Sequence, residues 1–322
     1  MAASPLDRKD MSKMRIVVHG QQAFGKAVLE ALLKRGENVV AVYVAPEKPG
    51  QKIDPLKEAA LTADLPVYQP ASYRQPEVWE QFRALKPDLQ VMAFVTLFVP
   101  SDFLNIPTHG SIQYHPSLLP KGRGASAINW PIIQGEKETG LSIFWPDDGL
   151  DTGDVLLQKK TPISDTDSLG TVYFDRLFPM GVEAMMESVD LVRNGKAPRI
   201  KQDEALATYE GRCTADNARI DWGKPWQQIH NLIRGCNPAP GAWTTIDGKT
   251  LQVFEAKPLP AKDPKGIGGK LGEVVEITND GFSVVCADGR IKILRVRPAD
   301  GGKLAAGDFA RTSNLKNGIR LG

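Results

Sequence analysis

The sequence predicts an open α/β fold on a mostly parallel sheet, followed by a smaller β-barrel domain. Three observations carry this expectation. From Met14 onward, short apolar runs alternate with segments of helical periodicity. The runs are nearly continuous in apolar residues, as strands covered on both faces are. Beyond about residue 205 the pattern changes to short strands separated by Asp-Gly pairs. At 322 residues the chain is long enough for two cores.

Taken in order, "MRIVVHG", "AFGKAVLEALLKRG" and "NVVAVYVA" read as strand, helix and strand of a βαβ unit. "DLQVMAFV" reads as a further buried strand, "GSIQYH" as a fifth, "TGLSIFW" as a sixth and "GDVLLQKK" as a seventh. "ASAINWPIIQG" is helical between the fifth and sixth. A long helix is expected from near Ser168 to Asn194, opened by Ser/Asp capping chemistry, closed by Asn-Gly and kinked at Pro179. The polar, punctuated stretch "KAPRIKQDEALATYEGRCTADNARIDW" reads as a linker. After it come a helix, "KPWQQIHNLIRG", and strands whose Asp-Gly pairs at 247–248, 280–281 and 288–289 mark hairpins. The expected division is a tail over 1–13, a catalytic domain over 14–204 and a β-barrel domain over 205–322.

Composition narrows the function classes. Forty Lys and Arg against thirty-eight Asp and Glu leave a net charge of +2, too little to hold a polyanion non-specifically. Cys213, Cys236 and Cys286 are odd in number and lack CxxC spacing, which argues against a disulfide framework or zinc site and fits a reducing cytoplasm. The opening "MAASPLDRKDMSKM" has no apolar core for a signal peptide and carries two aspartates, unlike a mitochondrial presequence. No stretch approaches the roughly 20 apolar residues of a membrane span.

Three motifs could carry chemistry. In "HGQQAFGKAVL", Gly20 and Gly25 lie between the first strand and helix, which suits either an anion-binding loop or a plain tight turn. In "IQYHPSLLP", strand alternation puts Gln113 and His115 on one face at the carboxyl end of a parallel strand, where open α/β sheets bind ligands. An imidazole there suits proton transfer near neutral pH, although a core histidine satisfied by backbone would look the same. In "FWPDDGLDTGDVLLQ", Asp147, Asp148, Asp151 and Asp154 crowd the loop after the next strand, which is expected to open at the same sheet edge. Such a loop could be a solvated, Asx-capped turn, a Mg²⁺ site or the acid partner of the histidine. An imidazole, a primary amide and a carboxylate together suit acyl chemistry on a formyl or similar carbonyl, with no Ser or Cys nucleophile required.

"HPSLLPKGRGASAINW" followed by "DDGLDTGD" resembles the folate-dependent formyltransferases, in the expected order and spacing. The likeness is strongest to the hydrolase domain of 10-formyltetrahydrofolate dehydrogenase, from "PEKPGQKIDPL" through "ATYEG" and "IHNLIRG" to "PGAW". The resemblance implies a doubly wound parallel sheet and 10-formyltetrahydrofolate as formyl donor or substrate, with no metal. It makes His115 the proton-handling histidine and Asp151 the essential acid. Asp147 and Asp148 would line the pterin pocket. "AFVTLF" would supply main-chain contacts from Thr96, Leu97 and Phe98, with Met92 and Phe94 as walls. Because the sequence ends at Gly322, it also implies a free-standing hydrolase or transferase unit, without dehydrogenase and carrier domains.

Gln113 departs from the family. Its transferases carry Asn there, and the hydrolase domain is apolar. Glutamine keeps an amide donor for an oxyanion but sets it one methylene further out. The expected reaction is hydrolysis to tetrahydrofolate and formate; the alternative is transfer to an amine. Methionyl-tRNA is disfavoured as acceptor by the low net charge and by the short "PEKPGQKIDPL" loop, where tRNA formyltransferases carry a longer basic insertion. "ARIDW" and "NPAPGAW" nevertheless resemble that branch. The acceptor and the oligomeric state are not written in the sequence.

Overall fold

The computed structural model describes residues 14–261 and 268–322; the tail expected over 1–13 lies outside them. Contacts divide the chain into two compact units. One comprises the chain up to Gly124 with Gly140–Lys160 and Arg176–Tyr209, the other Ala125–Thr139, Thr161–Asp175 and Glu210–Gly322. The division is interleaved along the chain where a linear reading places one boundary after residue 204.

The first unit is built on seven strands: β1 (Arg15–Gly20), β2 (Asn38–Val44), β3 (Val67–Tyr68), β4 (Leu89–Ala93), β5 (Ser111–His115), β6 (Glu138–Phe144) and β7 (Val155–Pro162). Their order is β3-β2-β1-β4-β5-β6-β7. β1 to β5 pair in parallel, and β6 runs antiparallel to β5 with Gln113 opposite Phe144 and His115 opposite Ser142. The mostly parallel sheet is therefore the one the apolar runs predict. The unit's helices are α1 (Gln22–Lys34), α2 (Pro55–Thr62), α3 (Pro76–Ala84) and the short α4 (Ser101–Leu104). α5 (Asn129–Gln134) and α6 (Leu169–Val172) fall in the second unit, and α7 (Phe178–Arg193) returns to the first.

The turn after β1 is tight because a Cβ at Gly20 would lie 2.1 Å from the carbonyl oxygen of Ala93 on β4. α1 then begins with the Gln22 amide donating to both carboxylate oxygens of Asp54, at 3.0 and 2.9 Å. Asp54 also caps α2 through the Leu56 amide at 2.8 Å. The anion at the start of α1 is thus the chain's own carboxylate, and the "HGQQAFG" loop is a structural turn.

A core cluster that includes Val17, Tyr43, Tyr73, Phe82 and Phe103 covers part of this sheet. Tyr114 of β5 stacks at 4.2 Å between ring centroids on Phe24 of α1 and lies beside Gly181 of α7, where a Cβ would come within 2.6 Å of its ring. Tyr114 alternates with Gln113 and His115, so this packing holds the central part of β5 from the face opposite those two side chains.

The helix expected from Ser168 to Asn194 is present but interrupted. Ser168 forms a reciprocal capping box with Thr171, and a π-helical turn over Tyr173–Leu177 precedes α7. Pro179 lacks the amide that would close the preceding turn, and the widened turn is where that lost bond is absorbed.

The second unit holds α8 (Trp226–Gly235), β8 (Ala242–Ile246), β9 (Lys249–Pro260), β10 (Val274–Thr278), β11 (Gly281–Cys286), β12 (Gly289–Pro298), β13 (Leu304–Ala305) and α9 (Ala306–Thr312). The strands form an antiparallel sheet ordered β10-β11-β12-β9-β8, with β13 on β12. All three Asp-Gly pairs lie at hairpin turns between consecutive strands. The chain end links the sheet's two outer strands: the Val274 amide donates to the Ile319 carbonyl at 2.9 Å, and the Gly322 amide to the Thr245 carbonyl at 3.0 Å. "INWPIIQ", expected to serve the first domain, forms α5 and packs within this unit, where Asn129 donates to the Gly235 and Ala239 carbonyls at 2.9 and 3.0 Å.

Candidate active site

His115 ends β5 and is buried. Its Nε2 lies 2.8 Å from the carbonyl oxygen of Gly122. A carbonyl can only accept, so Nε2 carries the hydrogen, and in the neutral ring the lone pair is on Nδ1. That Nδ1 faces Oδ2 of Asp151 at 3.6 Å, and Asp151 is buried as well. The same carboxylate oxygen accepts from the Gly124 amide at 2.8 Å.

The loop "DDGLDTGD" reaches His115 by a route that strand polarity in an all-parallel sheet does not give. Because β6 is antiparallel to β5, the loop starts opposite Gln113 rather than at the carboxyl edge of β5, and must double back. Asp151 makes that return in the left-handed region at φ 56°, a conformation that costs a non-glycine residue about 1 kcal/mol. Gly153 permits the close packing behind it, since a Cβ there would sit 1.7 Å from the carbonyl oxygen of Trp145.

Gln113 projects from the same strand face as His115, two residues away and only partly buried. Its side-chain amide has no hydrogen-bond partner among the described residues, so its NH₂ is available to an incoming oxygen.

The other expected residues sort by environment. The Asp147 carboxylate accepts from the Gly149 amide at 3.1 Å and the Thr152 hydroxyl at 2.6 Å. Asp148 accepts from the Ser101 amide at 3.0 Å and its hydroxyl at 2.8 Å, capping α4. The Asx-turn reading thus accounts for Asp147, while Asp148 ties the loop to α4 and Asp151 reaches His115. Among the described residues no three His, Cys, Asp or Glu side chains converge in a way that could hold a metal ion. Met92 is buried in the core with Tyr43 and Phe103. Phe94, at φ 65°, and Phe98 are exposed. The main-chain N–H and C=O groups of Thr96, Leu97 and Phe98 make no hydrogen bond among the described residues, and the Thr96 hydroxyl accepts from Gln21 at 3.3 Å.

Sequence reasoning missed Arg123, Gln202, Glu204, Thr208 and Tyr209. The last four lie in the stretch read as linker, yet the Thr208 hydroxyl accepts from the Gly122 amide at 2.8 Å and its carbonyl from the Arg123 amide at 3.0 Å. The one available signal was Arg123 itself, an arginine between two glycines inside "HPSLLPKGRG".

On a mostly parallel sheet, the imidazole, the carboxylate and the unpartnered amide make an arrangement that suits acyl chemistry, and comparison with known proteins gives the chain a family. Residues 13–189 match "Formyl transferase" and residues 212–314 "Formyl transferase, C-terminal domain". The chain belongs to the formyl transferase family.

It is 41% identical over 312 residues to the cytosolic 10-formyltetrahydrofolate dehydrogenase of Xenopus laevis, covering 94% of this chain and 34% of that one. The chain therefore spans about a third of the length of those dehydrogenase relatives. It is 39% identical to the methionyl-tRNA formyltransferase of Geotalea uraniireducens, covering 97% of this chain and 99% of that one. Among solved structures, HypX from Aquifex aeolicus in complex with tetrahydrofolic acid superposes with a TM-score of 0.66 at 19% identity, over 93% of this chain and 47% of that one. The sugar 3N-formyl transferase WlaRD gives 0.66 at 19% identity, over 90% and 99%.

Proposed function

We propose that this chain hydrolyses 10-formyltetrahydrofolate to tetrahydrofolate and formate. The observation that carries the reading is the 3.6 Å gap between Nδ1 of His115 and Oδ2 of Asp151. Both facing atoms are acceptors when the ring is neutral. A water seated beside the pair, off the line that joins them, can donate one hydrogen to each, which leaves an oxygen lone pair for the formyl carbon.

As the water attacks, one of its protons passes to Nδ1 and the carbonyl electron pair moves onto the formyl oxygen. Asp151 stabilises the imidazolium that results. Gln113 donates its free N–H to the developing oxyanion. On collapse the bond from the formyl carbon to N10 breaks, the proton on Nδ1 goes to N10, and the second proton leaves with formic acid, which ionises.

The folate would lie over the carboxyl end of β4. The unpartnered main-chain groups of Thr96, Leu97 and Phe98 supply donors and acceptors for a pterin, and exposed Phe94 and Phe98 supply apolar surface. Asp147 and Asp148 act there through the loop they shape.

Transfer to an amine is the second reading, favoured by the end-to-end match to a methionyl-tRNA formyltransferase. The same site serves if an amine replaces the water. A small amine suits the net charge of +2 better than a tRNA does. We place the protein in the cytosol, on its three free, buried cysteines and the cytosolic dehydrogenases among its relatives. Among the described residues no helix is long and apolar enough to cross a membrane.

The test is to incubate purified protein with 10-formyltetrahydrofolate and no acceptor, following tetrahydrofolate and formate together, with His115→Ala as control. Equal release of both products that the substitution abolishes supports hydrolysis. A stable substrate redirects the search to amino sugars, nucleotides and charged tRNA.

A further inference from the structure

We propose that Arg123 and Gln202 form a clamp that positions both members of the His115–Asp151 pair, so that the segment after residue 200 completes the active site. The inference rests on the reading of Asp151 as the reacting acid.

Arg123 is fully buried, and every one of its five N–H donors is used. Nε and Nη2 donate to Oε1 of Gln202 at 3.1 and 2.9 Å, and Nη1 and Nη2 form a fork with Glu204 at 2.9 and 2.6 Å. Nη1 also donates to the Tyr209 hydroxyl at 2.6 Å. The guanidinium thus fixes the rotamer and the amide orientation of Gln202. With its oxygen held by Arg123, Gln202 turns its NH₂ to the loop and donates to the carbonyls of Asp151 at 2.8 Å and Gly153 at 2.7 Å.

These two bonds hold the backbone immediately after the left-handed Asp151, whose carboxylate is aimed at His115. No other side chain is seen to hold those carbonyls among the described residues. The backbone of Arg123 completes the arrangement. The residue before it supplies the carbonyl that sets the His115 tautomer, and the residue after it supplies the amide that holds Asp151. One buried cation therefore ties together the backbone groups that orient the base and the acid, and Gln202 ties the acid's own backbone to the same point. Neither side chain touches the reacting atoms, so both are positioning residues.

Gln202→Glu tests this without emptying the site. Glutamate keeps both bonds from Arg123 and adds charge to them, but turns an oxygen toward the two loop carbonyls with no hydrogen to give. The clamp predicts a fall in kcat of about 10- to 100-fold with KM for 10-formyltetrahydrofolate within about twofold, and no further loss in an Asp151→Asn background. It also predicts at least about tenfold faster hydrogen exchange of the Gly124 amide, with the thermal midpoint held within about 2 °C.

Unchanged kcat, a raised KM alone, a loss that adds fully to that of Asp151→Asn, or an unaltered Gly124 amide would each overturn the proposal. The exchange measurement needs no turnover. If the wild type fails to process the folate while Gln202→Glu still frees the Gly124 amide, the functional reading falls and the clamp stands.

Discussion

Nε2 of His115 donates to the carbonyl oxygen of Gly122 at 2.8 Å, and this bond decides which ring nitrogen faces Asp151. Replacing either member of the pair should leave folding and folate binding in place while removing most of the chemistry. His115→Asn and Asp151→Asn are each expected to lower kcat by about 10²- to 10⁴-fold, the usual range for a positioned acid or base. The double substitution should cost little more than the worse single one, because the two act on one water. Steady-state kinetics with a binding measurement on an unreactive folate would check this. Independent, multiplying losses would show that the residues do not share a step.

Gln113 makes a separate prediction, since its amide is unpartnered among the described residues and faces the proposed oxyanion. Gln113→Leu keeps bulk on the strand and removes the donor. The loss in kcat should approach the roughly 10²- to 10³-fold cost of deleting an oxyanion-hole donor, with KM little altered. Gln113→Asn shortens the arm by one methylene and should retain more activity than leucine. An asparagine variant as poor as leucine would mean that the reach of glutamine is required.

Much of this was legible in the sequence. The apolar runs around "MRIVVHG", "DLQVMAFV" and "GSIQYH" announce buried parallel strands because both faces are covered. The Asp-Gly pairs announce hairpins because the turns demand residues that tolerate positive φ, as Asp247 does at 48°. What stayed hidden depends on non-local pairing. β3 has only two residues, too few to show a period. The antiparallel direction of β6 is set by its neighbours and leaves no local mark, which is why the expected route of the Asp151 loop differs from the observed one. Arg123 is invisible for the opposite reason to a core leucine. A buried arginine looks like a surface arginine until Gln202 and Glu204, 79 and 81 residues away in the chain, are brought to it. The linker reading of 196–222 missed 202–209 because Gln202, Glu204 and Tyr209 bond the buried guanidinium of Arg123 while much of the segment faces solvent, so its composition looks like that of a linker.

The support behind β5 gives a third prediction. A methyl group at Gly181 would meet the Tyr114 ring at 2.6 Å and the Phe24 ring at 3.0 Å. Both rings are buried and stacked, so neither can swing into open space. Gly181→Ala should destabilise the protein by about 1–3 kcal/mol through overpacking, despite alanine's better helix propensity. It should also lower kcat more than KM rises, because Tyr114 lies between Gln113 and His115. Chemical denaturation together with kinetics would test both parts. A stabilised, fully active Gly181→Ala variant would show that α7 can shift away from β5 freely.

His19 carries the fourth prediction, which concerns acid stability. It is buried on β1 beneath the sheet surface, with Nε2 at 2.8 Å from the Tyr73 hydroxyl and Nδ1 at 2.9 Å from the Gln90 amide. Burial lowers its pKa from 6.5 to about 3, because the charged ring would lose its hydration with no carboxylate to replace it. The unfolded chain takes up a proton near pH 6.5, and the folded chain does not until about pH 3. Stability from this group is therefore complete above pH 6.5 and drains away as the pH falls toward 3, at up to about 1.4 kcal/mol per pH unit. Urea midpoints measured between pH 7 and pH 4 should fall in the wild type. In His19→Gln, which can still bond to Tyr73 or Gln90 but cannot titrate, the starting stability should be lower and the decline shallower. Two curves that stay parallel across this range would mean that other groups control acid unfolding and that the neutral His19 contributes packing alone.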